Sequence, residues 1–342
     1  MLKKYHYIIF LISFSCLTLC LADCTASSAG SDKVIVRSFY HWKSDFSIDE
    51  PQQKFLNELE VEEIYLRLFD VVWDGEKDIP TAETVIDKIP EQNLIPVVYL
   101  TTDVFGNLDS IEVADLAFVV AMKIKSQMKD VEFKQVQFDC DWMPSIKDKY
   151  FYFLDEMNSN FKHKKLSATI RLYQYKYPDL AGVPPVDKGL LMYYNMGDLT
   201  SYEENNSILN NQLGKQYLGF GEYPLPIDIA LPNFEWCAVF RATEFVRLTT
   251  EFEEDELKSG SLFGKMKEDQ YVFQKDTVIG DFYYRYGDVI RYESCKKAEL
   301  VSASEELVKE INQDTTRIIF YDLRNNTKDD YEKLDAVYTL FE

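Results

Sequence analysis

Acidic and aromatic residues recur at the ends of short apolar runs in this 342-residue chain. In the run QVQFDCDW (135–142), Asp139 and Asp141 fall on one face of an extended strand. Other runs end in similar groups: Asp70, Asp103, Arg171 with Tyr173, Tyr194 with Asn195, Glu235 with Trp236, and Asp322. Two carboxyl groups flanking a bond, with aromatic faces to carry a ring, suit glycosyl chemistry. The inventory therefore points to a saccharide or cell-envelope glycan as partner.

Other kinds of chemistry are disfavoured. The chain has no GxSxG motif and only three histidines, so a nucleophilic serine hydrolase is not expected. No CxxC spacing occurs, and we expect neither a metal nor another cofactor. The formal net charge is −21, from 58 acidic and 37 basic residues. Such a charge repels phosphate backbones, so nucleic acid is excluded as a partner.

Eight apolar runs, rich in β-branched and aromatic residues, alternate with helical or polar stretches. They cover residues 34–42, 63–73, 94–100, 135–142, 166–174, 189–195, 226–236 and 317–325. This alternation predicts parallel strands with right-handed crossovers, in either a barrel or a doubly wound sheet. Run four carries Gln137 and Asp139 on one face and apolar residues on the other, whereas an open sheet would be apolar on both. We therefore predict an α/β fold, a (β/α)8 barrel over 33–342, with Gln137, Asp139 and Arg171 pointing inward.

Helix signals lie between these runs. A helix begins at Pro51, near Ser47 and Asp49, and an amphipathic helix covers about 110–128. Ser145 and Asp148 have the spacing of a capping box for a helix through 157, and Thr327 is expected to cap the closing helix. After run seven, an acidic and then aromatic insertion covers about 241–297. It is either a lid over the barrel mouth or a surface excursion without a ligand role.

The N-terminus has the pattern of an export signal. Lys3 and Lys4 precede an apolar stretch, 8–21, that is too short for a comfortable membrane span. The sequence Leu21-Ala22-Asp23-Cys24 resembles the lipobox of bacterial lipoproteins, although Asp23 replaces the usual small residue. We predict a signal peptide at 1–23, lipid on Cys24, a polar tether at 24–32 and a membrane-anchored place in the cell envelope. The alternatives are an ordinary cleaved signal without lipid, or lipidation at Cys16 or Cys20.

Two of the strands resemble those of family-18 glycoside hydrolases, the chitinases and endo-N-acetylglucosaminidases. QVQFDCDWM is similar to the family's DxxDxDxE strand, and LMYYNM to its Met-x-Tyr-Asp strand, with Tyr194 and Asn195 in register. Trp236 is a candidate for the family's pocket-floor tryptophan, although it follows run seven rather than the final strand. More closely, the chain resembles a group of Bacteroidetes-type lipoproteins with this barrel. The resemblance implies the same barrel fold and a sugar pocket.

The departures from that family concern the catalytic acid. Met143 stands where the resemblance places the glutamic acid that protonates the leaving oxygen, and Asn195 replaces an aspartate. Asp141 corresponds to the aspartate that orients the substrate's acetamide group. Since a general acid contributes roughly 10²–10⁴-fold in rate, we expect family-18 hydrolysis to be weak or absent.

Three functions stay open at this point. The barrel is a saccharide-binding protein, an active glycan hydrolase with a different acid, or a cell-envelope scaffold without a ligand. Candidates for a different acid are Asp103, Asp139, Asp141, Glu235 and Asp322. The purely structural alternative for the strand-four carboxylates is pairing with Arg67 and Arg171 inside the barrel.

Overall fold

Eight parallel strands form a closed ring in the computed structural model, which describes residues 33–323 and 328–342. They are β1 Val34–His41, β2 Glu63–Trp73, β3 Asn93–Leu100, β4 Gln135–Asp139, β5 Lys165–Arg171, β6 Lys188–Met192, β7 Ile227–Pro232 and β8 Thr315–Tyr321. Each strand pairs with the next, and β1 pairs in parallel with both β2 and β8. The predicted (β/α)8 barrel is confirmed.

The chain divides into two units, Met1–Lys33 and Val34–Glu342, and the barrel belongs to the second. The predicted signal peptide, Cys24 and the whole predicted tether lie outside the described residues, as does the proposed helix cap at Thr327. No helix in the described part of the chain is long and apolar enough to cross a membrane.

Polar side chains lie beside apolar ones in the barrel interior and satisfy one another. The Tyr40 hydroxyl donates to Gln137 Oε1, and Gln135 Nε2 donates to Ser167 Oγ at 2.9 Å. Gln135 also donates to the Tyr65 hydroxyl at 3.2 Å. Because buried polar groups are costly without partners, this network explains why one face of β4 tolerates glutamines. The opposite face packs against the helices, where Phe138, Val136 and their neighbours form the main core.

Helices accompany the barrel strands, and one of them, Glu254–Ser259, belongs to the insertion, where Leu257 joins a separate apolar core. The helices are Glu50–Glu58, Thr102–Asn107, Ser110–Gln127, Lys147–Asn160, Leu172–Lys176, Pro178–Ala181, Asn211–Gly214, Glu254–Ser259, Lys297–Leu307 and Lys328–Phe341, with 3-10 turns at Lys215–Tyr217 and Val308–Glu310. Asp49 caps the first of them, and its carboxylate accepts from the Gln52 amide at 2.8 Å. The predicted capping box at Ser145 is wrong: Ile146 precedes the helix and no side chain caps it. The chain instead turns before the helix, since the Ile146 and Lys147 amides both donate to the Met143 carbonyl.

The insertion after β7 forms a second, antiparallel sheet. Its strands are Trp236–Arg241, Glu244–Thr249, Phe263–Lys267, Gln270–Phe273 and Val289–Glu293, and a hairpin of Thr277–Ile279 and Phe282–Tyr284 accompanies them. The sheet has its own apolar core, in which Phe273 stacks on Tyr284 and Phe252 contacts both rings edge-on. Three short strands complete the described elements: Asp45–Phe46 pairs with Val85–Ile86, and Asp78–Thr81 pairs with β2.

Candidate functional site

A cavity of about 560 Å³ lies at the carboxyl ends of the barrel strands. Its lining includes all eight site residues predicted from the sequence, namely Asp139, Asp141, Arg171, Tyr194, Asn195, Glu235, Trp236 and Asp322. Asp70, Tyr173 and Thr250 also line it, so the insertion contributes to its wall through Trp236 and Thr250. Asp103 and Met143 do not line it. The barrel therefore brings together strand ends that are far apart in sequence, as a parallel barrel must.

The floor of the cavity is aromatic. Tyr321, the last residue of β8, lies with its ring centroid 5.6 Å from those of Trp42, Tyr194 and Phe234. Trp236 packs 5.1 Å from Phe234. Tyr321 thus lies at the end of the final strand, on which the resemblance places a tryptophan, whereas Trp236 follows β7. Sequence reasoning missed Trp42, Tyr99, Phe234 and Tyr321.

Asp141 is held in a two-pronged ion pair. Arg171 Nε donates to Asp141 Oδ1, and Arg171 Nη2 donates to Asp141 Oδ2. The structural alternative foreseen for Arg171 is therefore realised at Asp141, but Arg67 pairs with Asp70 instead, at 3.3 Å. Such a fork fixes both partners and occupies both carboxylate oxygens. Asp141 can reach a ligand only as part of this pair, or after the pair opens.

Asp139 lies deeper and has a different environment. Its Oδ1 accepts a hydrogen bond from Thr169 Oγ1 at 2.6 Å. Burial raises the pKa of Asp139 to about 7, with the hydrogen bond from Thr169 acting downward and the charge of Asp141 upward. A carboxyl group with this pKa is substantially protonated at neutral pH, so Asp139 can donate a proton there.

Asp70 is the second perturbed carboxyl group of the cavity. Burial raises its pKa, and the charge of Arg67 opposes that rise. Its Oδ1 is buried and has no hydrogen-bond partner among the described residues. Buried polar atoms are normally satisfied, so this oxygen is placed to accept from a ligand or from water.

The wall formed by Glu235 and Trp236 is anchored by the insertion. Glu235 Oε2 accepts from the Tyr292 hydroxyl at 2.9 Å, and Trp236 Nε1 donates to Glu293 Oε2 at 3.1 Å. Glu293 is fully buried and also forms an ion pair with Arg291 at 2.6 Å. The tryptophan ring is consequently held in place by a buried charge pair of the second sheet.

Several predicted runs continue past the end of their strand in the structure; run four, for example, was expected to reach 142, but β4 ends at Asp139. Run five was expected to continue to 174, but the strand ends at Arg171 and a helix begins at Leu172. The Gln174 side chain stabilises this turn, because its Oε1 accepts from the Arg171 amide at 2.7 Å and its Nε2 donates to the Trp142 carbonyl at 2.9 Å. Met143 follows β4 by four residues and is 51% exposed.

The comparisons with known proteins concern the fold. No protein-family model matches the chain, and no curated protein matches it. Among solved structures, a chitinase from Bacteroides thetaiotaomicron superposes with a TM-score of 0.54 at 11% identity, covering 91% of this chain and 97% of that one. The spore cortex-lytic enzyme SleL of Bacillus megaterium superposes with a TM-score of 0.52 at 13% identity, covering 89% of this chain and 74% of that one. The chain therefore shares the (β/α)8 barrel fold of these two enzymes.

Proposed function

We propose that the cavity binds a saccharide, such as a cell-envelope glycan, and that the protein hydrolyses N-acetylglucosamine polymers weakly or not at all. The observation that carries this proposal is the combination of an aromatic floor with polar side chains at the mouth. Rings at Tyr321, Trp42 and Trp236 offer faces on which the C–H surface of a sugar can stack. The Asp141–Arg171 pair and Asn195 offer acceptors and donors for hydroxyl groups.

Two further points support a saccharide. A chitinase is among the proteins with this fold, which agrees with a glycan ligand. The mouth is an open cavity of about 560 Å³, whereas a scaffold without a ligand would fill this end with side chains. The carboxyl groups of the lining outnumber its one arginine, which favours an uncharged sugar over a polyanion.

Weak hydrolysis follows from the chemistry at two positions. Met143 has no proton to give, and its side chain lies outside the cavity lining. Asp141, which the resemblance assigns to orienting the acetamide group, has both oxygens engaged by Arg171. In this proposal the cavity keeps side chains suited to holding a sugar, while Met143 stands where the resemblance places the acid that would cleave it.

The test combines binding with catalysis. The purified protein is applied to a glycan array and, in parallel, incubated with N-acetylglucosamine oligomers while released reducing ends are measured. We expect binding without hydrolysis at ordinary enzyme rates, roughly 1–10³ per second. Trp236→Ala should weaken binding, whereas Tyr286→Ala, which removes a 70% exposed ring of the insertion, should not. Absence of binding to every glycan, or equal binding by the Trp236 variant, would contradict the proposal.

A second candidate function rests on Asp139. With its pKa at about 7, Asp139 is able to replace the missing acid in an active glycan hydrolase. In that case the array ligands are cleaved, and Asp139→Asn abolishes cleavage while it leaves binding nearly intact. Cleavage that survives in the Asp139 variant would exclude Asp139 as the acid and leave the other carboxyl groups of the cavity to test, namely Asp70, Asp141, Glu235 and Asp322.

We also propose that the protein is exported and anchored to the cell envelope through lipid on Cys24. The support is the sequence pattern of the first 24 residues. A lipid anchor would keep a saccharide-binding cavity next to the glycans of the envelope.

A further inference from the structure

Exposed aromatic rings continue from the cavity mouth onto the protein surface. We refer to Tyr173, Tyr177, Tyr217 and Phe220 as the aromatic strip. Tyr173 and Tyr217 line the cavity, whereas Tyr177 and Phe220 lie beyond it. Tyr173 is 47% exposed, Tyr177 38% and Phe220 62%. A group of aromatic rings exposed to water is typical of a surface that binds a ligand or another molecule.

The rings are held in place by Lys176. Tyr173 and Tyr177 lie with their centroids 5.2 Å apart. The ammonium nitrogen of Lys176 lies 5.2 Å from the ring centre of Tyr177, 5.4 Å from that of Tyr217 and 4.3 Å from that of Phe220. It also donates to the Gln216 carbonyl at 2.7 Å. Lys176 therefore joins the helix after β5 to the segment around residues 215–220, so the strip is already formed before a ligand arrives.

The turn around Phe220 presents its ring to solvent. Gly219 and Gly221 flank it with φ angles of +78° and +104°, values that residues with a side chain rarely adopt. The Gly219 amide donates to Glu310 Oε1 at 2.9 Å, which fixes the turn against the 3-10 turn after Lys297–Leu307. A rigid turn that exposes a phenylalanine has no evident role in packing the barrel.

We propose that the aromatic strip is a second binding site, which holds sugar units of the same glycan that extend out of the cavity. This inference rests on the proposed function and narrows it. The ligand would be an extended, uncharged polysaccharide with more units than the cavity can hold. Equatorially linked pyranose rings suit the strip, because such chains are straight and present flat C–H faces along their length.

The continuity of strip and cavity favours a glycan over other occupants. Tyr173 and Tyr217 belong to both surfaces, so a chain that enters the cavity passes over them. Lys176 and Gln216 lie among the rings, which makes the strip less apolar than the centre of a stable protein interface. The net charge of −21 opposes contact with an anionic membrane surface.

The experiment measures affinity against chain length. Tryptophan fluorescence is titrated with oligomers of N-acetylglucosamine and of β-1,4-linked glucose, each at two and at six units. Four proteins are compared: the wild type, the double variant Tyr177→Ala/Phe220→Ala, the cavity variant Trp236→Ala, and the control Tyr286→Ala. Circular dichroism checks that each is folded, and sedimentation velocity gives the oligomeric state. The two strip residues are exposed, so their replacement should leave the fold intact.

We expect the wild type to bind the hexamer of one series more tightly than the dimer. The strip variant should bind the dimer normally and the hexamer about tenfold more weakly, since two stacked rings are lost. Trp236→Ala should weaken both lengths and Tyr286→Ala neither. If the wild type and the strip variant bind the hexamer with equal affinity, the aromatic strip is not a second binding site. The proposal for the cavity would remain intact. If the wild type self-associates and the strip variant does not, the aromatic strip is a contact between copies of the protein. That result would also overturn its proposed role as a sugar-binding site. Absence of binding at either length in both series would overturn the strip as proposed.

Discussion

Asp139 gives the sharpest test of the cavity's electrostatics. Burial raises its pKa from 3.8 to about 7, a difference of roughly three units. In the unfolded chain the group loses its proton near pH 4, whereas in the folded chain it keeps it until about pH 7. Between these values the folded state binds more protons than the unfolded state, so the free energy of unfolding falls as pH rises. At 1.36 kcal/mol per unit, the loss is at most about 4 kcal/mol.

The substitution Asp139→Asn removes this dependence. An amide stays neutral at every pH and still offers an oxygen to Thr169 Oγ1, which donates to Asp139 at 2.6 Å. We expect the variant to match the wild type near pH 4 and to exceed its free energy of unfolding by up to about 4 kcal/mol at pH 8. Urea denaturation at half-unit pH steps measures the difference.

The control is Asp155→Asn, which changes an exposed carboxyl group on the helix Lys147–Asn160. Its difference from the wild type should stay within about 0.5 kcal/mol at every pH. If the difference in free energy of unfolding between Asp139→Asn and the wild type is the same at every pH from 4 to 8, the reasoning is refuted. Such a result would mean that folding does not raise the pKa of Asp139.

Three other predictions concern separate parts of the chain. Met143→Glu should not create hydrolysis of N-acetylglucosamine oligomers, because the side chain at this position lies outside the cavity lining; a clear gain in released reducing ends would show that it reaches the substrate. Glu293→Gln should lower the free energy of unfolding in urea by about 3–5 kcal/mol, since it leaves the Arg291 charge buried without its partner. Glu58→Gln, at the exposed pair with Lys54, is its control and should change stability by less than about 1 kcal/mol. Cys24→Ala should move the protein from the membrane fraction to the soluble fraction and remove a lipid-sized mass; unchanged fractionation and mass would exclude lipid at Cys24.

The barrel could be predicted from the sequence because the apolar strand segments alternate regularly with helical segments. The predicted run at 63–73 coincides with β2, Glu63–Trp73, and the predicted helix at 110–128 ends one residue beyond Ser110–Gln127. Errors occurred where a side chain redirects the backbone over a long range. Gln174 bonds to Trp142, which is 32 residues away, and no local pattern reveals that this contact ends β5.

The acidic residues of the site could be predicted from the sequence, but the aromatic residues of the cavity floor could not. Residues at strand ends converge in any parallel barrel, so Asp139, Asp141 and Asp322 could be grouped without knowing a single distance. Tyr321 precedes Asp322 directly, yet nothing in the sequence distinguishes it, because tyrosine is frequent in this chain, at 23 copies. The partner of Arg67 was also hidden, since Asp70 lies only three residues away but beyond a bulge in β2.

The pairing of β1 with β8 has a consequence for the order of folding during synthesis. Val34 pairs with Thr315, so the ring cannot close until nearly the whole chain has left the ribosome. The antiparallel sheet needs only strand pairings within Trp236–Glu293, so it can form while the last barrel strand is still being made. Trp236 would then be anchored to Glu293 before the cavity that it borders exists. A nascent chain stalled after Glu293 has left the ribosomal tunnel, but before Thr315 has left it, should therefore protect the sheet, but not β1, from limited proteolysis.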